Sequence, residues 1–260
     1  MLIKKYFKLM ALTLCLLPTI VFAGKKSKKN TTENVVTASP NNSIKSLTRE
    51  AMFINAMQSK LLGNFNEAAL RFNSIIKEDP NNYASYFQLA QIYFELNDLA
   101  KAEAAGQKAL DLDPSDEWHY VFLGQVKVGK GDYSGASDVY EKMIQNLKTR
   151  DIELYFDYVM LLEKAEKYDK ALEVLSQMNQ KFGPNDDVLF EKIGVYLKAD
   201  RHKEAITEIK NVISKDTTQY KYYGYLGDVY EQSGQQDKAI ESYNTVLKNE
   251  PDNVLAIYSL

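Results

Sequence analysis

From residue 49 onward, apolar residues recur at i, i+3, i+4 and i+7, the spacing that lines one face of an α-helix. Tyr86, Leu89, Ala90 and Tyr93 form one such set, and Ala136, Val139, Tyr140 and Met143 another. Short polar turns separate the sets, and the turns themselves recur. Ala68, Ala102, Ala136, Ala171, Ala205 and Ala239 each follow one, at intervals of 34, 34, 35, 34 and 34 residues. The pattern predicts an all-α chain of helical hairpins, each closed by a turn that starts at Gly63, Asn97, Gly131, Glu166, Asp200 or Gly234. Ala56, Ala90, Gly124 and Gly227 are small at one buried place and are expected to let paired helices approach. Phe72, Tyr140 and Tyr243 are expected to fill the facing side. Val159 and Ile193 occupy the small place in the fourth and fifth units, which predicts wider spacing there. Pro80, Pro114 and Pro251 stop second helices, since proline has no amide to donate, and Pro184 does so one place later.

The run of a large residue, Leu, Ala or Gly, Tyr, then Gly-Asp/Asn-aromatic-x-x-Ala, a further aromatic and Asp-Pro resembles the tetratricopeptide repeat. The resemblance covers residues 49–260. It implies a helical-hairpin repeat solenoid, a right-handed superhelix of six units (49–82, 83–116, 117–151, 152–185, 186–219, 220–253) and a partial seventh (254–260). Lys148 and Thr217 depart from the usual proline, Gly106 from a large residue, and Asn55 and Lys192 from leucine.

In the family, contacts run between neighbouring units, and the first helices line a concave face. Groove-facing positions are the second, fifth, ninth and about the twelfth of each first helix. Carried over, the fifth position gives Phe53, Phe87, Val121, Phe156, Phe190 and Gly224. The ninth gives Met57, Gln91, Gln125, Met160, Gly194 and Asp228, while Trp118 and Phe94 fall on second and twelfth positions. The implied peptide-binding groove is therefore aromatic with scattered amides, and in the sixth unit it turns small and acidic. The cations with which some members clamp a chaperone's C-terminal carboxylate are absent. Such a groove suits a protein or peptide segment with apolar anchors. The same row also reads as contact between neighbouring first helices, and a third use is stacking against glycan rings.

Composition narrows the setting. With 260 residues, 45% hydrophobic and 26% charged, the chain is neither disordered throughout, collagen-like nor a polytopic membrane protein. Lys4, Lys5 and Lys8 precede an apolar run from Leu9 to Phe22, and Val21 and Ala23 are small just ahead of Gly24. These features predict a secretory signal peptide over 1–23 and a periplasmic or secreted chain, with no transmembrane helix in the mature segment. Cys15 lies inside the apolar run, so it is no lipoprotein cysteine, and cleavage would remove the chain's one thiol. Residues 24–46 read as a disordered polar leader, ahead of the array at 47–260. Without both N-terminal segments, 24 basic residues face 34 acidic ones. That balance argues against nucleic acid as a partner.

Catalytic patterns are not found. His119 and His202 lie in different units, without a Cys/His/Asp/Glu set at ligand spacing around either. Gly124 to Gly131 nearly spells a phosphate loop, but the repeat register makes Gly124 to Val128 helical, and Gly131 stands where Ser or Thr would hold magnesium. No catalytic residue, metal or cofactor is expected. Asn253 to Leu260 opens a seventh unit, so the chain is expected to be part of a longer protein. The expected function is that of an exported, non-enzymatic scaffold in a bacterial envelope assembly. The alternative is the sensory or substrate-recruiting arm of a larger receptor or enzyme.

Overall fold

A computed structural model describes residues 40–260, with side chains from residue 47. The expected signal peptide and most of the expected leader lie outside the described residues. Among the described residues there are thirteen α-helices and no strand, and 45–260 form one compact unit. The first helices of the six hairpins are α1 (Pro40–Leu61), α3 (Tyr83–Glu95), α5 (Glu117–Gly129), α7 (Ile152–Lys164), α9 (Asp186–Lys198) and α11 (Lys221–Gln232). The second helices are α2 (Phe65–Glu78), α4 (Leu99–Leu112), α6 (Tyr133–Leu147), α8 (Tyr168–Phe182), α10 (His202–Ile213) and α12 (Gln236–Asn249). A short α13 (Val254–Tyr258) opens the seventh unit. One boundary needs correction: α1 starts at Pro40, so residues 40–46 are its opening turns and not leader.

Each hairpin turn is built the same way. Gly63, Asn97, Gly131, Glu166, Asp200 and Gly234 all have positive φ, between 57° and 76°. The following residue donates its amide to the carbonyl five places back, as in Asp98 to Tyr93 (2.8 Å) and Lys167 to Leu162 (2.8 Å). This left-handed stop satisfies the helix's last carbonyls and reverses the chain. Glycine adopts it without strain, whereas Glu166 and Asp200 do so at a cost.

Inside the hairpins, small faces large at equivalent places. A methyl built on Gly124 would sit 2.7 Å from the Tyr140 ring, and one on Gly227 would sit 2.4 Å from Tyr243. In the second unit both sides are small: a methyl on Gly106 would lie 3.7 Å from Ala90. Backbone approach is most extensive there, between α3 and α4, and much less so between α9 and α10, the hairpin that carries Ile193. Gly106, a departure from the repeat pattern, is thus offset by backbone proximity. The hairpins of Val159 and Ile193 show less backbone approach than that of Gly124, the direction expected.

The core is divided. One cluster joins Ala56, Phe72, Ile75, Leu89 and Ile92 of the first two units. A larger one runs from Leu110 through Leu123, Tyr140, Leu162, Leu175 and Val246 to Ala256. Phe122 on α5 is half-buried against the first cluster, although its own helix belongs to the second.

Candidate functional site

The aromatic residues of α3 and α5 meet edge to face. Phe122 sits 5.4 Å from Phe87 and 5.7 Å from Phe94, and Phe87 lies 4.8 Å from the His119 ring. Tyr83 closes the chain of rings at 5.7 Å from His119. Such tilted pairs place a ring's positive edge on its neighbour's negative face and add about 1 kcal/mol each to area burial. Phe87 and Phe94 are therefore partly engaged with the next unit's first helix. Phe122 stands outside the expected set because it occupies the sixth position of its unit, which the groove positions carried over from the family do not include.

The other expected groove residues divide by environment. Phe53 packs on Phe72 of its own hairpin at 5.3 Å, and Met57 lies beside it in the first cluster. Val121 and Phe156 rest half-buried on the larger cluster. Met160 is half-buried and Gln125 exposed. Phe190 is exposed and tilts toward Tyr225 of α11 at 5.5 Å. Trp118, 66% exposed, is the freest ring of the set.

Charge is distributed unevenly along the first helices. In units one and two, Lys60 of α1 donates to Gln88 Oε1 (2.6 Å) and Gln91 Oε1 (2.5 Å) of α3. Burial pushes its pKa down to about 8, against a smaller opposing pull from Glu95. Because the folded chain sheds this proton before the unfolded one, the unfolded state holds more protons between pH 8 and the ordinary value of 10.5. Stability must then rise with pH across that window. Relative to Lys60→Met, the wild type is expected to gain roughly 2 kcal/mol on going from about pH 7.5 to about pH 10, read by urea unfolding. An unchanged difference between the two proteins at the two pH values would show that Lys60 is solvated.

Units four to six carry acids instead. Burial raises the carboxyl pKa of Asp157, an effect reinforced by Glu153 and Asp151. Burial also raises that of Glu191, helped by the charge of Glu163 and opposed by Lys198. Asp228 is likewise raised by burial, although Tyr243 donates to it at 2.9 Å. Glu163, only 8% exposed, takes Lys198 Nζ on one oxygen at 2.6 Å, and its other oxygen, Oε1, is buried without a partner. Phe156-Asp157 and Phe190-Glu191 recur 34 residues apart, so an acid follows a ring at the same place on α7 and α9. Partly desolvated carboxylates that face little positive charge favour a cation supplied from outside.

One expectation about chemistry changes. Asp113, Asp116 and His119 do come together, their potential ligand atoms lying within 4.8 Å of one another. The sequence spacing concealed this because the turn after α4 folds Asp113 back over the start of α5. The contacts within the group are those of a helix start: Asp113 accepts from the Ser115 amide (3.1 Å) and Asp116 from the Trp118 amide (2.9 Å). His119, buried, bonds through Nδ1 to the Asp113 carbonyl oxygen at 2.9 Å. Donors and acceptors are thus paired within the turn, as capping requires. The stretch resembling a phosphate loop is helical through Gly129, in line with the register.

Comparison with known proteins agrees with this architecture. Family models described as tetratricopeptide repeat match residues 62–117 and 220–253. TPR repeat-containing protein MJ1428 of Methanocaldococcus jannaschii is 27% identical over 221 residues, covering 75% of this chain and 38% of that protein. Superkiller complex protein 3 of Homo sapiens is 22% identical over 240 residues, covering 76% of this chain and 15% of that protein. A solved structure of Naa15/Naa10 bound to HypK-THB superposes with a TM-score of 0.64 at 14% identity, over 85% of this chain and 34% of that one, and shares the fold. The chain spans less than half the length of each of these proteins.

Proposed function

Because the chain carries tetratricopeptide repeats, we propose that it is a non-enzymatic scaffold whose first-helix face holds a segment of another protein. The occupant combines apolar anchors with lysine or arginine side chains. The observation that carries this reading is the pairing of Phe190 and Phe156 with the partly buried acids Glu191 and Asp157 at equivalent places. Apolar anchors fill the spaces beside such rings, and a basic side chain restores the charge balance that burial removed. Relatives carrying the same repeats bear names of parts of larger assemblies, such as Superkiller complex protein 3, which supports an assembly role.

Exported location belongs to the same proposal. The lysine-led apolar run ending at Ala23 supports passage out of the cytoplasm and service in a bacterial envelope assembly. N-terminal sequencing of the chain from cell fractions tests that part. A chain that retains Met1 in the cytoplasm would refute it.

The groove itself is tested with fluorescent peptides that carry Leu or Phe anchors and either Lys/Arg or Glu between them. Basic peptides are expected to bind at least tenfold more tightly than acidic ones, about 1.4 kcal/mol, with the preference fading as salt rises. Phe190→Ala with Glu191→Gln should abolish the preference and leave the melting temperature near wild type, since Phe190 is exposed. Equal binding of basic and acidic peptides would sink the proposal.

A further inference from the structure

The outer side of α1 carries a second helical pattern that the hairpin does not use. Leu47, Ala51, Ile54, Gln58 and Leu61 follow one another at steps of four, three, four and three residues, and all five are exposed. At 100° per residue they form one narrow stripe along the helix. Met52, Phe53, Ala56 and Ser59, which face the first hydrophobic cluster or are buried, lie on the opposite side. Leu47 is 65%, Ile54 57% and Leu61 81% exposed, and Leu62 beside them is exposed too.

We propose that this stripe is a coiled-coil seam through which α1 pairs with α1 of a second copy of the chain, in parallel. Alternating steps of three and four are the repeat of helix-on-helix knobs-into-holes contact, with Leu47, Ile54 and Leu61 at d and Ala51 and Gln58 at a. An extended peptide, with its period of two, does not match it. Small Ala51 at one a position lets the helices come close. Gln58 selects the orientation. In a parallel pair Gln58 meets its own copy, and the two amides, each donor and acceptor, satisfy one another. In an antiparallel pair it meets Leu47 and leaves a buried amide unbonded, a loss of the kind by which single polar a residues specify register. The flanking positions include Asn55 and Met57, with Glu50 the charged exception, so two identical helices meet little like-charge repulsion. The exposed leucines and isoleucine present several hundred Å² of apolar surface, a patch size that marks contact sites and approaches the roughly 800 Å² per partner of a standard interface.

Sedimentation velocity on the full chain tests this. The wild type is expected to sediment as a dimer within the range of about 1–100 µM, with a concentration-dependent melting temperature. Ile54→Glu should weaken the dimer at least tenfold while leaving helix content unchanged, because the residue is exposed within one copy. In a Cys15→Ser background, Leu61→Cys should form an intermolecular disulfide on oxidation, since only the parallel pair brings position 61 opposite itself. A chain that stays monomeric at about 100 µM, or a dimer that survives Ile54→Glu, overturns the seam. A dimer that forms without the 61–61 disulfide overturns the parallel pairing. Peptide binding by Ile54→Glu stays intact in every case, which separates this result from the groove.

Discussion

Gly227→Val is expected to cost about 3 kcal/mol of unfolding free energy, the upper part of the range for overfilling a close-fitted contact. Even the first carbon of the new side chain would lie 2.4 Å from the Tyr243 ring, and that ring has little room to retreat. Tyr243 is 1% exposed, and its hydroxyl lies within hydrogen-bond reach of two acceptors, Asp228 (2.9 Å) and Glu231 (3.1 Å), on α11, the helix that carries Gly227. Helix propensity works the other way, since replacing glycine gains up to about 1 kcal/mol in a helix, so steric overlap must dominate for the expected sign to hold. Gly194 provides the control. It lies in α9 with nothing within 4 Å of a built methyl, so Gly194→Ala should hold or raise stability. A second control comes from the chain's own repeats: the fourth unit uses Val159 facing Leu175 at the equivalent place. Gly227→Val combined with Tyr243→Leu should therefore recover at least half of the loss, a positive coupling in a double-mutant cycle. Urea unfolding followed by far-ultraviolet circular dichroism measures all four proteins. If Gly227→Val unfolds at the wild-type midpoint, the small-to-large fit is not what holds this hairpin.

This fit was legible in the sequence because it repeats. The period of 34 puts Gly124 and Gly227 at one place of the unit and Tyr140 and Tyr243 at another, and it locates all six turn residues, including Glu166 and Asp200, whose types do not advertise positive φ. What repeats cannot convey is how a unit deviates from its neighbours. The division of the core between the second and third units, the lowered pKa of Lys60 and the meeting of Asp113 with His119 each depend on side chains from different units whose pairing has no counterpart elsewhere in the array. The groove lay between these cases. Positions on the first helices followed from the repeat, but whether a ring on that face is free, as Trp118 is, or engaged, as Phe87 is, depends on what the following unit supplies. The outer side of α1 is not legible from the 34-residue repeat, because its apolar residues follow alternating steps of four and three along one helix and have no counterpart in the hairpin's own period.

Phe122→Ala is expected to divide the unfolding of the array in two. In a solenoid each unit is stabilised by its neighbours alone, so cooperativity fails first at the weakest junction. Between the second and third units the two hydrophobic clusters separate, and His119, buried against Phe87 and Tyr83, helps to join them along with three further features. Glu103 of α4 bonds Lys127 of α5 at 2.6 Å and also pairs with Lys130. These are partly exposed ion pairs, worth about 1 kcal/mol or less each. Around Gly106 the helices touch without a side chain to interlock, a methyl there lying 3.6 Å from Leu123. Phe122 adds ring contacts to both Phe87 and Phe94, the largest apolar contribution of these three. Truncating a buried phenylalanine costs about 3–5 kcal/mol. Because Phe122 is only half-buried, about 3 kcal/mol is the expected loss, more than the ion pairs retain. The units preceding α5 should then open independently of those that follow. Hydrogen exchange is expected to show amides of α1 to α3 exchanging through a lower-energy opening than amides of α6 to α9, whereas wild-type amides across the junction share one limit. Charge reversal at Glu103 should shift the midpoint slightly and leave the transition single. A lone cooperative transition in Phe122→Ala, displaced but not divided, would mean that the ion pairs and backbone contact suffice to hold the halves together.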